Sequence, residues 1–135
     1  MHVYRAIMEA VAYGTEASLR IVKENNMDIL EMIAVGGHTN SKLWTQIYSD
    51  VTNLPIRKTT NPEATSLGSA ILASVAAGKY ESITEAADNM VQSGDEVKPN
   101  IENYKKYKFF VDHYIKTYES LKDSIFETNK YIKNL

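Results

Sequence analysis

The chain has 135 residues, of which 15 are Lys or Arg and 17 are Asp or Glu, so its formal net charge is −2. This balance lacks the basic excess that binding to a phosphate backbone requires, which argues against a nucleic-acid module. The lack of cysteine excludes a disulfide scaffold, a thiolate zinc site and a cysteine nucleophile, and 44% hydrophobic residues exclude a disordered tail.

Apolar stretches such as Ile71–Ala77 are far shorter than the roughly 20 residues that span a bilayer. Met1–Ala10 lacks the layout of a signal peptide. We therefore expect a soluble, cytoplasmic protein without a membrane segment.

The first elements along the chain are a helix and a strand. Apolar residues recur at helical spacing from Val3 to Glu24, which predicts a helix. Gly14 within it indicates flexibility or a close helix contact. The segment Asp28–Val35 is short and apolar and lies between an Asn-Asn pair and a Gly-Gly pair, so it favours a buried strand.

A second helix and a second strand follow. Thr39 or Asn40 can cap a helix with an apolar face that ends near Asn53. Pro55–Thr59 predicts the second strand, and Asn61-Pro62 predicts a turn.

Two more helices come next. The apolar face over Glu63–Ala77 predicts a helix, and Gly78 supplies its stop signal. Ser82 followed by Glu85 makes a capping box for a shorter helix that extends to about Val91. Loop-forming pairs then occur at Ser93-Gly94 and Pro99-Asn100.

The last third of the chain carries a regular apolar stripe. Its members alternate three and four residues apart: Tyr104, Tyr107, Val111, Tyr114, Tyr118, Leu121 and Ile125. This nearly heptad spacing predicts a helix from about Ile101 to Lys130 with a packing face. Because lysines accompany the tyrosines, base stacking is the alternative interpretation, and the spacing favours it less. We expect the aromatic helix to dock on the rest of a larger protein or to form a homo-oligomer.

Together these elements predict an α/β fold that is mostly helical, with about two parallel strands and five or six helices. Two strands joined through a helix form a parallel crossover. A parallel sheet must be covered on both faces, and two strands cannot make a sufficient core. We therefore expect this chain to be part of a larger α/β protein.

The segment most suited to chemistry runs from the first strand through Gly36-Gly37 into the next helix. Glycines allow positive φ and let a ligand approach the backbone. The following helix offers N–H groups and the positive end of its dipole, which suit a phosphate, and Thr39, Asn40 and Ser41 add hydrogen-bonding side chains. The pattern is neither GxxxxGK[ST] nor GxGxxG, and by itself it is more often an ordinary turn than a nucleotide site.

The residues around this turn resemble the C-terminal domain of the FGGY family of carbohydrate kinases. GGHTNSKLWTQIYSDV is followed by LPI and EATSLGSAILASVAAG, in register with the family's pattern. The matching residues are Gly36, Gly37, Ser41, Trp44, Gln46, Asp50, Val51, Pro55, Glu63, Ala64, Leu67, Gly68 and Ala70. The resemblance covers about Tyr4 to Met90 and becomes weak in the aromatic helix.

The resemblance implies a two-domain actin-like ATPase architecture with a ribonuclease H-like fold, in which sugar and ATP bind between the domains. Residues 1–135 would be a partial C-terminal nucleotide-binding domain, with a kinase-like α/β part over 1–99 and the long helix over 100–135. Gly36 and Gly37 would contact the ribose and phosphates of ATP or ADP, and Ser41 would approach the adenosine. His38 replaces a small residue of the family's pattern, so its imidazole either contacts the nucleotide or narrows the pocket.

Other candidate side chains have simpler interpretations. His2 and His113 have no partner at metal-ligand spacing, and we assign no residue to a metal, Mg²⁺ included. Asp50 lies near a helix end, where a structural hydrogen bond is preferred over a catalytic role. We expect Trp44 in the core, and we expect Gln46 to hold a backbone group or a neighbouring helix.

The resemblance implies an ATP-dependent sugar kinase that transfers the γ-phosphoryl group to a sugar hydroxyl, and the motif is closest to kinases of pentuloses such as xylulose or ribulose. In that family the aspartate base, the sugar-binding residues and the first phosphate loops precede the matched region. We therefore assign no catalytic residue and expect a fragment that lacks its N-terminal kinase domain and is inactive alone. The alternative is a non-enzymatic helical protein-interaction module derived from a kinase, which binds its partner through the face from Tyr104 to Ile125.

Overall fold

The computed structural model describes residues 2–60 and 63–134, and these ranges hold five α-helices and three strands. The elements in chain order are α1 (His2–Glu24), β1 (Met32–Ala34), α2 (Lys42–Thr52), β2 (Ile56–Thr59), α3 (Ala64–Ala76), α4 (Ile83–Met90), β3 (Ser93–Val97) and α5 (Ile101–Lys133). A short 3-10 helix over Gly37–Asn40 lies between β1 and α2. The mostly helical α/β prediction is confirmed. The predicted turn at Asn61-Pro62 lies outside the described residues.

The sheet has the order β1-β2-β3. β1 and β2 are parallel, as predicted, and Ala34 pairs with Lys58 at the carboxyl end of both strands. β3 runs antiparallel to β2, so the prediction of a loop at Ser93-Gly94 was wrong. The composition of β3 disfavours a strand, but the open edge of β2 supplies its pairing partners. Gly94 suits this position because a Cβ there would lie 3.2 Å from the carbonyl oxygen of Lys58.

β1 is shorter than the predicted strand over Asp28–Val35. Only Met32, Ile33 and Ala34 pair with residues of β2, which is itself four residues long. A strand is defined by the neighbour that takes its backbone hydrogen bonds, and β2 pairs with these three residues.

The helix ends follow the local signals. Asn53 has a left-handed backbone at the end of α2, and Gly78 has φ +72° after α3. The Ser82 hydroxyl accepts a hydrogen bond from the Glu85 N–H at 3.1 Å, and the Glu85 carboxylate accepts one from the Glu81 N–H at 2.8 Å. The predicted stop at Gly78 and the predicted cap at Ser82 are confirmed.

The main core lies where α1, α2 and α5 meet. Its buried members are Met8, Ala12, Ile47, Val51, Tyr107 and Val111, and Trp44 packs against them as predicted. Gly14 faces Tyr114, whose hydroxyl oxygen lies 3.4 Å from the position of a Cβ, which supports the interpretation of a close helix contact. Tyr107 and Val111, in the first half of the apolar stripe on α5, therefore belong to the core. None of the helices in the described ranges is long and apolar enough to cross a membrane.

Candidate functional site

The glycine turn forms an open corner at the end of β1. Gly36 has φ +90°, a conformation that L side chains rarely adopt. A Cβ built on Gly36 or on Gly37 meets nothing within 4 Å. The Thr39 hydroxyl closes the corner by donating to the Gly36 carbonyl at 2.7 Å. The main chain is therefore fixed and also accessible to a ligand.

Ser41 is the residue that caps α2. Its hydroxyl oxygen accepts a hydrogen bond from the Trp44 N–H at 3.2 Å. The prediction that Thr39 or Asn40 supplies the cap was wrong, because the chain first makes the 3-10 helix and enters α2 only after it. The Ser41 O–H retains its own hydrogen for another acceptor.

His38 lies against α2. Its ring centroid is 6.0 Å from that of Trp44 and 5.7 Å from that of Tyr48, in edge-on and tilted arrangements. Aromatic pairs at these separations are favourable. The imidazole is thus part of a small aromatic cluster at the start of the helix.

Lys58 joins the turn to the sheet, a contact that sequence reasoning missed. Its ammonium donates to the Thr39 carbonyl at 2.9 Å. The two residues are far apart in sequence, and the contact arises because the parallel register pairs Lys58 with Ala34, just before the turn. A residue-level prediction of that register would have found it.

A cleft of mixed charge lies beside the first turn of α2. Its volume is about 400 Å³, and it is lined by Lys42, Gln46, Lys58, Asp95, Glu96 and Val97. Two cations and two carboxylates give no strong excess of either sign. Any attraction of a phosphate to this cleft therefore depends mainly on the neighbouring N-terminus of α2.

Asp50 has a structural role, as predicted. It is only 3% exposed, and its carboxylate accepts three hydrogen bonds at 2.8 Å, from the Gln46 amide, the Asn100 N–H and the Asn103 amide. Gln46 also donates to the Lys98 carbonyl at 3.0 Å, which confirms its predicted role. Together these contacts fasten α2 to the beginning of α5.

The predicted site residues Gly36, Gly37, His38 and Ser41 lie together at the entrance to α2. His113 contacts the Phe109 carbonyl of its own helix at 3.0 Å. Throughout the described part of the chain, no three His, Cys, Asp or Glu residues are arranged to hold a metal ion.

Comparison with known proteins identifies the family. The family model described as "FGGY family of carbohydrate kinases, C-terminal domain" matches residues 1–77. The chain belongs to this family. Among FGGY relatives, it is 41% identical over 123 residues to a ribulokinase from Geobacillus thermodenitrificans, a match that covers 87% of this chain and 22% of the ribulokinase.

Solved FGGY structures have the same fold. A xylulose kinase from Rhodospirillum rubrum matches with a TM-score of 0.75 and 23% identity, over 90% of this chain and 25% of that one. A glycerol kinase from Plasmodium falciparum, solved with ADP, matches with a TM-score of 0.70 and 25% identity. This match covers 88% of our chain and 24% of the glycerol kinase. The chain thus spans about a quarter of the length of these FGGY kinases.

Proposed function

We propose that this FGGY chain forms the ATP-binding part of a sugar kinase and that the turn from Gly36 to Ser41 binds the nucleotide. The observation that carries the proposal is the glycine pair, since a Cβ on either residue would project into open space. A nucleotide therefore has room to lie directly on the main chain. The ADP in the glycerol kinase that shares this fold supports an adenine nucleotide as the ligand.

In this proposal the start of α2 faces the phosphates. The first N–H groups of a helix have no partner inside it, and the helix dipole places positive potential there. The Ser41 hydroxyl donates a hydrogen bond to the adenosine, while its oxygen still accepts the hydrogen bond from the Trp44 N–H. Lys58 donates a hydrogen bond to the Thr39 carbonyl and so stabilises the conformation of the turn that binds the nucleotide.

The proposed reaction is phosphoryl transfer to a sugar hydroxyl. Bound ATP would supply the γ-phosphoryl group, and Mg²⁺ would neutralise part of the charge on the phosphates. Residues of this chain bind and orient the nucleotide, and we assign neither the base nor the Mg²⁺ ligands to them. We propose a pentulose as the acceptor, supported by the 41% identity to a ribulokinase.

We further propose that this chain alone binds nucleotide without transferring the phosphoryl group. The base and the sugar site would be contributed by an N-terminal kinase domain, within the three quarters of the family kinases that this chain does not span. In this arrangement residues 1–99 form the nucleotide-binding α/β part, and the remainder, 100–135, contains the long helix α5.

Isothermal titration of the chain with Mg-ADP tests the proposal. We expect saturable binding of one nucleotide per chain and its loss in Gly37→Val, because the branched side chain occupies the space above the turn. The matched control is Ala73→Val, which places the same side chain at an exposed position of α3.

The control variant should bind as the original chain does. An original chain without saturable heat would refute the proposal and favour a protein-interaction module. Equal affinity in Gly37→Val, with its fold verified by circular dichroism, would refute the placement of the site.

A further inference from the structure

His38 is the one side chain of the glycine turn, from Gly36 to Ser41, that can carry a charge. It lies in the 3-10 helix, directly after the exposed Gly37 and three residues before the cap of α2. Its side chain is half-buried. Because histidine gains its proton near neutral pH, this position can present either a neutral ring or a cation to a ligand.

The His38 ring has aromatic neighbours but no polar partner. It packs against Trp44 and Tyr48 of α2, with ring centroids 6.0 Å and 5.7 Å away. Among the described residues neither nitrogen of the ring has a hydrogen bond or an ion pair, and neither is buried. His113, by contrast, contacts the Phe109 carbonyl of its own helix. The His38 imidazole therefore retains its full hydrogen-bonding capacity for a ligand.

The charged groups on the elements beside the ring are cations. Lys42 lies in the first turn of α2, and Lys58 of β2 donates a hydrogen bond to the Thr39 carbonyl at 2.9 Å. Tyr48 is the other titratable side chain against the ring. Together with the positive end of the α2 dipole, the two lysines attract an anion to the same end of the helix.

The carboxylates of the neighbouring cleft do not neutralise the imidazole. Asp95 and Glu96 line that cleft, and neither forms an ion pair with His38. Glu96 instead contacts Arg57 at 3.3 Å and Lys98 at 3.7 Å. An anion that arrives at the turn therefore has no carboxylate to displace from the ring.

We propose that His38 is a nucleotide-binding residue and that its protonated imidazole donates a hydrogen bond to the phosphates. The inference rests on the proposed function, because it takes a nucleotide at the turn as given. A Cβ on Gly36 meets no atom of His38 within 4 Å, so the ring leaves the space beside this glycine open. Of the two roles that the sequence leaves open for His38, contact with the nucleotide is therefore preferred over narrowing of the pocket.

The charge of the imidazolium makes this contact depend on pH. A hydrogen bond from a cation to a phosphate is stronger than one between neutral groups. Binding of the nucleotide therefore favours the protonated ring, and the contribution of His38 to the affinity is present at low pH and is lost as the ring becomes neutral.

Titration calorimetry with Mg-ADP tests the proposal in the original chain and in His38→Phe, which keeps an aromatic ring against α2 but has no nitrogen. The measured quantity is the ratio of the Kd of the variant to that of the original chain. We expect a ratio of about three to ten at about pH 6 and a ratio near one at about pH 8. Titration of the nucleotide phosphates affects both chains equally, so the change in the ratio belongs to His38.

Two further variants separate this role from others. The matched control is His113→Phe, the same replacement at an exposed position of α5, and its ratio should stay near one at both pH values. His38→Ala should also bind more weakly than the original chain at the lower pH. Tighter binding by His38→Ala would show that the ring narrows the pocket and would overturn the proposal. Circular dichroism verifies the fold of each variant.

The remaining outcomes distinguish this inference from the proposed function. Saturable binding by the original chain, with a ratio for His38→Phe that is the same at both pH values, would overturn the role of His38 and leave the nucleotide site in place. An original chain that binds no Mg-ADP at either pH would overturn the inference together with the proposed function.

Discussion

Replacing Asp50 with alanine should destabilise the protein by about 2–4 kcal/mol. The substitution removes the acceptor of three hydrogen bonds at 2.8 Å. A hydrogen bond to a charged group contributes about 1.5–3 kcal/mol. We expect a smaller loss than the sum of three such hydrogen bonds. Gln46 and Asn103 are partly exposed, so their amides form hydrogen bonds to water in the variant. The variant also no longer has the cost of burying a charged carboxylate. The loss is large beside a typical total stability of about 5–15 kcal/mol.

Urea denaturation followed by circular dichroism measures this effect. The matched control is Asp123→Ala, which removes an exposed carboxylate from α5 and should change stability by less than about 0.5 kcal/mol. Similar midpoints for both variants would refute the view that Asp50 fastens α2 to α5. A change in the slope of the transition would indicate that the variant no longer unfolds in one two-state step or that the compactness of one of its states has changed.

Three further substitutions test the turn and the helix packing. Gly36→Ala meets no neighbour but keeps φ at +90° and ψ at −174°, a conformation almost restricted to glycine, so we expect a loss of about 1–3 kcal/mol in thermal unfolding. Lys58→Met removes the bond to Thr39 and should weaken Mg-ADP binding about fivefold in titration calorimetry. The hydrogen bond from Arg20 lowers the pKa of Asp112, so this pair stabilises the fold above the usual aspartate pKa and loses its effect as the pH falls through the lowered value. Asp112→Asn should therefore lower the melting temperature at neutral pH, and the difference from the original chain should shrink as the pH falls below the usual aspartate pKa. A difference that stays constant as the pH falls would contradict this.

Local sequence signals were sufficient for most helices. Ser82 and Gly78 act through hydrogen bonds and backbone angles within a few residues, so their roles follow from short patterns. β3 could not be predicted in this way. Its residues have low strand propensity, and it forms because β2 offers a free edge from another part of the chain.

The candidate site likewise contains some contacts that local patterns predict and others that depend on distant parts of the chain. Gly36, Gly37 and Ser41 belong to one continuous segment, and the sequence was sufficient to bring them together. Lys58 reaches this segment only through the parallel register of the sheet. Asn103 reaches Asp50 only after α5 folds back onto α2, which no local pattern specifies.

The central claim is that the main chain of the glycine turn binds an adenine nucleotide. The most direct test is a titration of the ¹⁵N-labelled chain with Mg-ADP, followed through its amide resonances. We expect the largest saturable shifts at Gly36, Gly37 and the first N–H groups of α2, with the C-terminal part of α5 unchanged. An unchanged spectrum, or shifts that centre on another part of the chain, would contradict the account.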